Sequence, residues 1–69
     1  MKVSARNQLQ GTVVDVTKGA TTSHVRIDVG GIIITASITN EAVGDLNLAK
    51  GQQATAIIKA SDVIVGVQD

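Results

Sequence analysis

The sequence predicts an all-β domain, a five-stranded Greek-key barrel with one short helix between strands 3 and 4. Three observations carry that prediction. Alternating aliphatic segments recur along the chain, with Val, Ile and Thr at the positions that favour strands. Gly-containing polar turns separate these segments at short intervals. The hydrophobic fraction is 43%, yet Phe, Trp and Tyr are all absent, so the core must be built from Val, Ile, Leu and Ala.

The first strand is expected from about Asn7 to Thr17, with Gly11 marking a bulge or a close backbone approach. Lys18-Gly19-Ala20-Thr21 supplies a turn. Ser23 to Val29 then alternates cleanly, with Val25, Ile27 and Val29 inward and His24, Arg26 and Asp28 outward. Gly30-Gly31 signals a tight hairpin. The third strand, Ile32 to Ile38, puts Ile32, Ile34, Ala36 and Ile38 on one face. Asn40 is expected to cap a helix from Glu41 to about Leu46, with Glu41 well placed against the helix dipole. Val43 and Leu46 would plug one end of the barrel. Gly51 closes a loop before strand four, Gln53 to Ile58. Lys59-Ala60-Ser61 interrupts the pattern, and Val63 to Val67 resumes it as strand five. Three strands, a helix and two strands are the element order of the OB-fold.

Ile33, Ile57 and Ile64 break the alternation, because each sits beside apolar neighbours. Strands apolar on both faces need cover on both sides. Either the strands are irregular and tuck these residues inside, or they form a subunit interface. Chain length favours the interface. A single domain of 69 residues buries only about 60% of the surface its unfolded chain exposes. With no Cys and a single His, neither disulfides nor a structural metal can staple it. Association is the remaining route to stability.

Charge and composition remove several function classes. Six Lys+Arg balance six Asp+Glu, which argues against a general nucleic-acid binder, and the missing aromatics remove the stacking platforms such proteins use. No apolar run approaches the twenty residues of a membrane span. The start, Met1 to Arg6, lacks a signal peptide's apolar stretch, and the expected location is the cytoplasm. His24 stands alone, so no metal site is expected. Asp15, Asp28 and Asp62 read as solvated carboxylates. No nucleophile has a His partner, and no enzyme is expected.

What remains is a pair of polar segments, Ser4-Ala5-Arg6-Asn7-Gln8-Leu9 and Lys59-Ala60-Ser61-Asp62, at opposite ends of the chain. Each offers one cation and one hydroxyl beside small side chains that let backbone N–H groups approach closely. Arg6 supplies a planar fork of donors and Lys59 a mobile point charge. Two cations and several neutral donors suit a compact dianion. Read singly, each residue has a plainer role. Arg6 and Lys59 would be solvated surface charges, Ser4 and Ser61 turn formers, and Thr39 a strand end or helix cap.

Taken in order, Ser4-Ala5-Arg6-Asn7-Gln8-Leu9-x-Gly11, Ala36-Ser37-Ile38-Thr39 and Ile58-Lys59-Ala60-Ser61-Asp62-Val63 resemble the molbindin family, small cytoplasmic binders of molybdate or tungstate. The resemblance implies one molbindin-type oxyanion-binding domain over residues 1–69. It implies a homohexamer, a trimer of dimers, that stores or buffers molybdate, and tungstate with it, at subunit interfaces. The ligand would be held by hydrogen bonds and charge, without an organic cofactor and with no protein atom bonded to the metal. Residues matching Ser4, Ala5 and Arg6 resemble one wall of the site, and those matching Thr39, Lys59, Ala60 and Ser61 the other. Asn7 and Gln8 either bond backbone at a subunit junction or help line a second oxyanion site. The competing readings are an OB-fold nucleic-acid binder and a structural assembly module without a ligand.

Overall fold

A computed structural model describes residues 1–69. Its elements are β1 (Asn7–Lys18), β2 (Thr22–Val29), β3 (Ile32–Thr39), α1 (Asn40–Asp45), β4 (Gln53–Ile58) and one 3-10 turn, Ala60–Asp62. The strands form one antiparallel sheet in the order β3-β2-β1-β4. Three hairpin-connected strands with the fourth returning beside the first make a Greek key. No helix is long and apolar enough to cross a membrane.

The β2 alternation is as expected. Val25 and Ile27 are buried, and the intervening His24 and Arg26 are exposed. With Val13 and Ala56 they form the core, and Leu9, Val16, Ile34, Ala36, Ile38 and Val43 pack against it. The sheet is curled. β3 and β4 lie at its opposite edges, yet Ala36 and Ile38 line the same apolar cavity of about 260 Å³ as Ala54 and Ile57. Gly30 and Gly31 have φ of 60° and 94°, as a two-residue hairpin turn requires, and the Asp28 carboxylate accepts from the Gly31 N–H at 2.7 Å.

Gly11 is a point of close approach. A Cβ there would run into the Asp28 carbonyl oxygen and lie 2.8 Å from Ile27 Cγ2. The bulge falls further along β1, where Val13 pairs with Ile27 and Asp15 with Arg26, leaving Val14 as the extra residue. At this bulge the Val13 N–H donates to the Gln52 carbonyl at 2.9 Å and its carbonyl accepts from Gly51 N–H at 2.7 Å. The loop before β4 is thereby stitched to β1.

Two expectations need correction. The chain pairs four strands, not five, and the sheet is not closed into a barrel. Val63 to Val67 has no ladder, and Ile64 is 95% exposed. Alternation marks a segment able to pair but does not fix which edge it pairs with, and within one chain the outer edges of β3 and β4 stay unpaired. The helix cap is Thr39, not Asn40: the Thr39 hydroxyl accepts from the Ala42 N–H at 3.0 Å. The Asn40 side chain is occupied elsewhere, accepting from the Ser23 hydroxyl and donating to the Gly19 carbonyl at 2.9 Å. Leu46 is the helix C-cap and, though 60% exposed, lines the apolar cavity beside Leu48, while Val43 and Leu48 pack against the core.

Ser23 is 1% exposed, which makes the Asn40 contact a structural tie. Asn40→Ala should leave that hydroxyl without its acceptor and cost about 1–3 kcal/mol. Urea unfolding at fixed protein concentration reads the loss. Ser23→Ala in the Asn40→Ala background should recover part of it, because no buried polar group is then left unpaired.

Candidate functional site

The antiparallel pairing of β1 with β4 brings the two polar segments together. Their register runs from Thr12 opposite Gln53 to Asn7 opposite Ile58. Asn7 and Ile58 are both half-buried, and the Asn7 amide donates to the Ile58 carbonyl at 3.1 Å, clamping the end of the pair. One residue beyond that rung stand Arg6 on one strand and Lys59 on the other, both exposed. The register thus sets two exposed cations at neighbouring strand ends, and like charges on neighbouring strands repel.

Ser4 and Ala5 lead into Arg6, and Gln8 fixes their path by donating its amide to the Ala5 carbonyl at 3.2 Å. On the other strand, Lys59 precedes the 3-10 turn, whose first internal bond runs from the Asp62 N–H to the Lys59 carbonyl at 2.9 Å. The N–H groups of Ala60 and Ser61 lie ahead of that bond at the open end of the turn. The cluster therefore combines a guanidinium, an ammonium, the Ser4 and Ser61 hydroxyls and backbone donors, all on exposed residues except Ala5.

Two sequence expectations can be set beside this geometry. The amides of Asn7 and Gln8 each donate to a backbone carbonyl of their own chain, so their visible work is bracing the end of β1. Thr39 is not beside Lys59. It pairs with Thr22 at the end of the sheet where β1 finishes at Lys18, whereas Lys59 follows the rung at Asn7. Those two levels are separated by most of β1, roughly 30–35 Å along the strand. One chain groups Lys59, Ala60 and Ser61 with Ser4, Ala5 and Arg6, and holds Thr39 apart.

The supports for Thr39 were not visible in the sequence. Asn40 is tied to the β1–β2 turn through Gly19, through Ser23, and through its own N–H to the Thr21 carbonyl at 2.9 Å. That tether fixes where β3 ends. Asn is common at helix starts, which gave the cap reading, but nothing local signals a bond to Ser23. The Thr39 hydroxyl accepts a bond in capping and keeps its own proton to donate.

Comparison with known proteins bears on what this constellation does. The family model described as TOBE domain matches residues 3–65. A probable molybdenum-pterin-binding protein of Haemophilus influenzae is 48% identical, over 99% of this chain and 100% of that protein. Among solved structures, a molybdate-binding protein from Sporomusa ovata superposes with a TM-score of 0.93 at 37% identity, covering 97% of this chain and 100% of the other. The cytoplasmic molybdate-binding protein ModG, in a form with molybdate bound, gives a TM-score of 0.95 at 46% identity, over 99% of this chain and 49% of its own. The matched span takes in both polar segments and every strand, and this chain is a member of the TOBE-domain family, within its molbindin-type group.

Proposed function

We propose that the protein binds molybdate, and tungstate by the same contacts, as an intracellular store or buffer. The observation that carries this reading is the placement of Arg6 and Lys59 on adjoining strand ends, with Ser4, Ala5, Ala60 and Ser61 around them. At ~4 Å and an effective dielectric of ~20, each cation contributes about 4 kcal/mol of Coulomb attraction per unit of anion charge before desolvation is set against it. The hydroxyls rotate to donate to the remaining oxygens. The arrangement binds; it offers no nucleophile or acid–base pair for turnover. Kinship with a molybdate-binding protein that is matched over its whole length supports the ligand.

The site is shared between chains in this reading. Thr39 meets Arg6 and Lys59 only when a second copy brings its other end to the cluster. Only 5 of 69 residues are buried, so a single chain has too small a core to be the stable unit. The exposed segment Val63 to Val67 is the fifth strand of the barrel, paired in the assembly with another copy. The assembly is a hexamer, a trimer of dimers. Native mass spectrometry of protein from molybdate-grown cells tests both points together. Hexamers carrying oxyanion mass are expected, and a folded monomer free of anion would overturn the reading.

Selectivity should follow size and protonation. Molybdate and tungstate share charge and shape and should bind within a few-fold of each other. Sulfate is smaller, so the same donors stretch around it, and phosphate at neutral pH is partly protonated and turns an O–H toward a wall of donors. Losing one hydrogen bond to a charged group costs about 1.5–3 kcal/mol, so both should bind on the order of tenfold or more weakly. Calorimetry placing sulfate level with molybdate would remove the size argument.

A further inference from the structure

β4 lies at the edge of the sheet, so within the chain only β1 holds it. Its last rung sets Ile58 opposite Asn7. Lys59 follows in extended conformation, so its position is set by where the ladder ends. From Lys59 onward every hydrogen bond within the chain is local to the 3-10 turn. The Asp62 N–H donates to the Lys59 carbonyl at 2.9 Å and the Val63 N–H to the Ala60 carbonyl at 3.2 Å. The bond from the Asn7 amide to the Ile58 carbonyl at 3.1 Å is therefore the last tie between this segment and the sheet. It joins residues 51 positions apart on a half-buried pair, where water competes with it less than at the surface. The Gln8 amide makes a similar bond to the Ala5 carbonyl, but that bond is exposed and joins residues three apart.

We propose that Asn7 is a positioning residue of the oxyanion site: its amide holds the Lys59–Ser61 segment beside Arg6 before the anion arrives. The inference rests on the oxyanion reading above. Arg6 and Lys59 repel each other while the site is empty, and nothing beyond the Asn7 bond opposes their separation within the chain. A site whose cations have drifted apart must be reordered on binding, and that ordering subtracts from affinity. With the Ile58 carbonyl held, the repulsion persists in the free protein and is relieved when a dianion sits between the cations. The pairing of Val63 to Val67 with another copy holds the far side of the turn, and Asn7 holds the near side. This assigns Asn7 to the support of the Arg6–Lys59 site rather than to a second oxyanion site.

The test compares the wild type, Asn7→Leu, Asn7→Ser and Gln8→Ala as full chains, with assembly checked by sedimentation. Leu keeps the branched shape of Asn without its donor. Ser is too short to reach the Ile58 carbonyl and adds no apolar surface, so it carries the comparison if Asn7→Leu does not assemble. Calorimetric titration with sodium molybdate gives the affinity and the number of anions per chain. Hydrogen exchange read by mass spectrometry follows the peptide from Ile58 to Asp62. Both Asn7 variants should bind about three- to tenfold more weakly with the number of anions unchanged. Exchange in that peptide should be faster than wild type in the free protein and return to the wild-type rate at saturating molybdate. Gln8→Ala should weaken binding by only about twofold and leave that peptide's exchange unchanged. Wild-type affinity in the Asn7 variants overturns the proposal. Weaker binding with unchanged exchange also overturns it, since Asn7 would then touch the anion itself. A fall in the number of anions per chain, with the remaining sites at wild-type affinity, overturns it by placing Asn7 in a second site. A wild type that does not bind molybdate at all removes the oxyanion reading, and this inference with it.

Discussion

Arg6→Ala and Lys59→Ala should each lower molybdate affinity by about 2–5 kcal/mol, roughly 30- to 5,000-fold. Each substitution leaves an enclosed dianion short of one counter-charge, the costliest loss the cluster can suffer. Thr39→Ala should cost less, near the 1.5–3 kcal/mol roughly expected for a hydrogen bond to a charged group. It should also weaken the helix cap by about 1 kcal/mol, which circular dichroism and urea unfolding will separate from binding. Because Arg6 and Thr39 lie at opposite ends of one chain's sheet, a site that uses both must draw them from different copies. Co-refolding the Arg6→Ala and Thr39→Ala proteins should therefore restore a fraction of intact sites, read by equilibrium dialysis with molybdate. Confirmed mixed oligomers with no recovery would mean that Thr39 takes no part in the Arg6 site.

Much of this arrangement was legible in the sequence, for reasons that differ from element to element. Ser23 to Val29 was readable because alternate residues face a core, and period-2 burial writes itself directly into residue type. Gly30-Gly31 was readable because a two-residue turn demands positive φ, which glycine adopts freely. The fifth strand was expected from its alternation, but alternation does not decide pairing, and Val63 to Val67 joins neither edge of the sheet. Thr39 and Asn40 are both good caps, and the choice between them was made by Ser23 and Gly19, which lie far away in sequence. The same limit applied to the candidate site. Two polar segments with a cation and a hydroxyl each could be read from residue type, and the family resemblance added Thr39 to them, but which segment ends adjoin is decided by register. The rung from Asn7 to Ile58 joins Arg6 to Lys59, and the pairing of Thr22 with Thr39 sends Thr39 to the far end.

Gly11→Ala should be the most damaging single methyl in the chain, costing about 3 kcal/mol. β1 is paired on both sides, so it cannot retreat from β2 without disturbing β4. The added Cβ would strike the backbone carbonyl of Asp28 and crowd Ile27 Cγ2 at 2.8 Å, and a carbonyl in a ladder has no rotamer to escape into. Thr12 opposite Asp28 is the next rung, so relief must come from opening the β1–β2 ladder there. Gly44→Ala is the matched control. It sits in α1, where an added methyl would meet nothing within 4 Å, and should stabilise by about 0.8–1 kcal/mol through helix propensity. Urea unfolding at one protein concentration compares the two, because any assembly adds its own stability. Opposite signs are expected, and a Gly11→Ala protein as stable as the wild type would show that β1 and β2 are not in this contact. Since β1 also carries Arg6 at its entry, molybdate affinity should fall with Gly11→Ala and stay unchanged with Gly44→Ala. The site depends on the register of β1 as much as on the residues at its end.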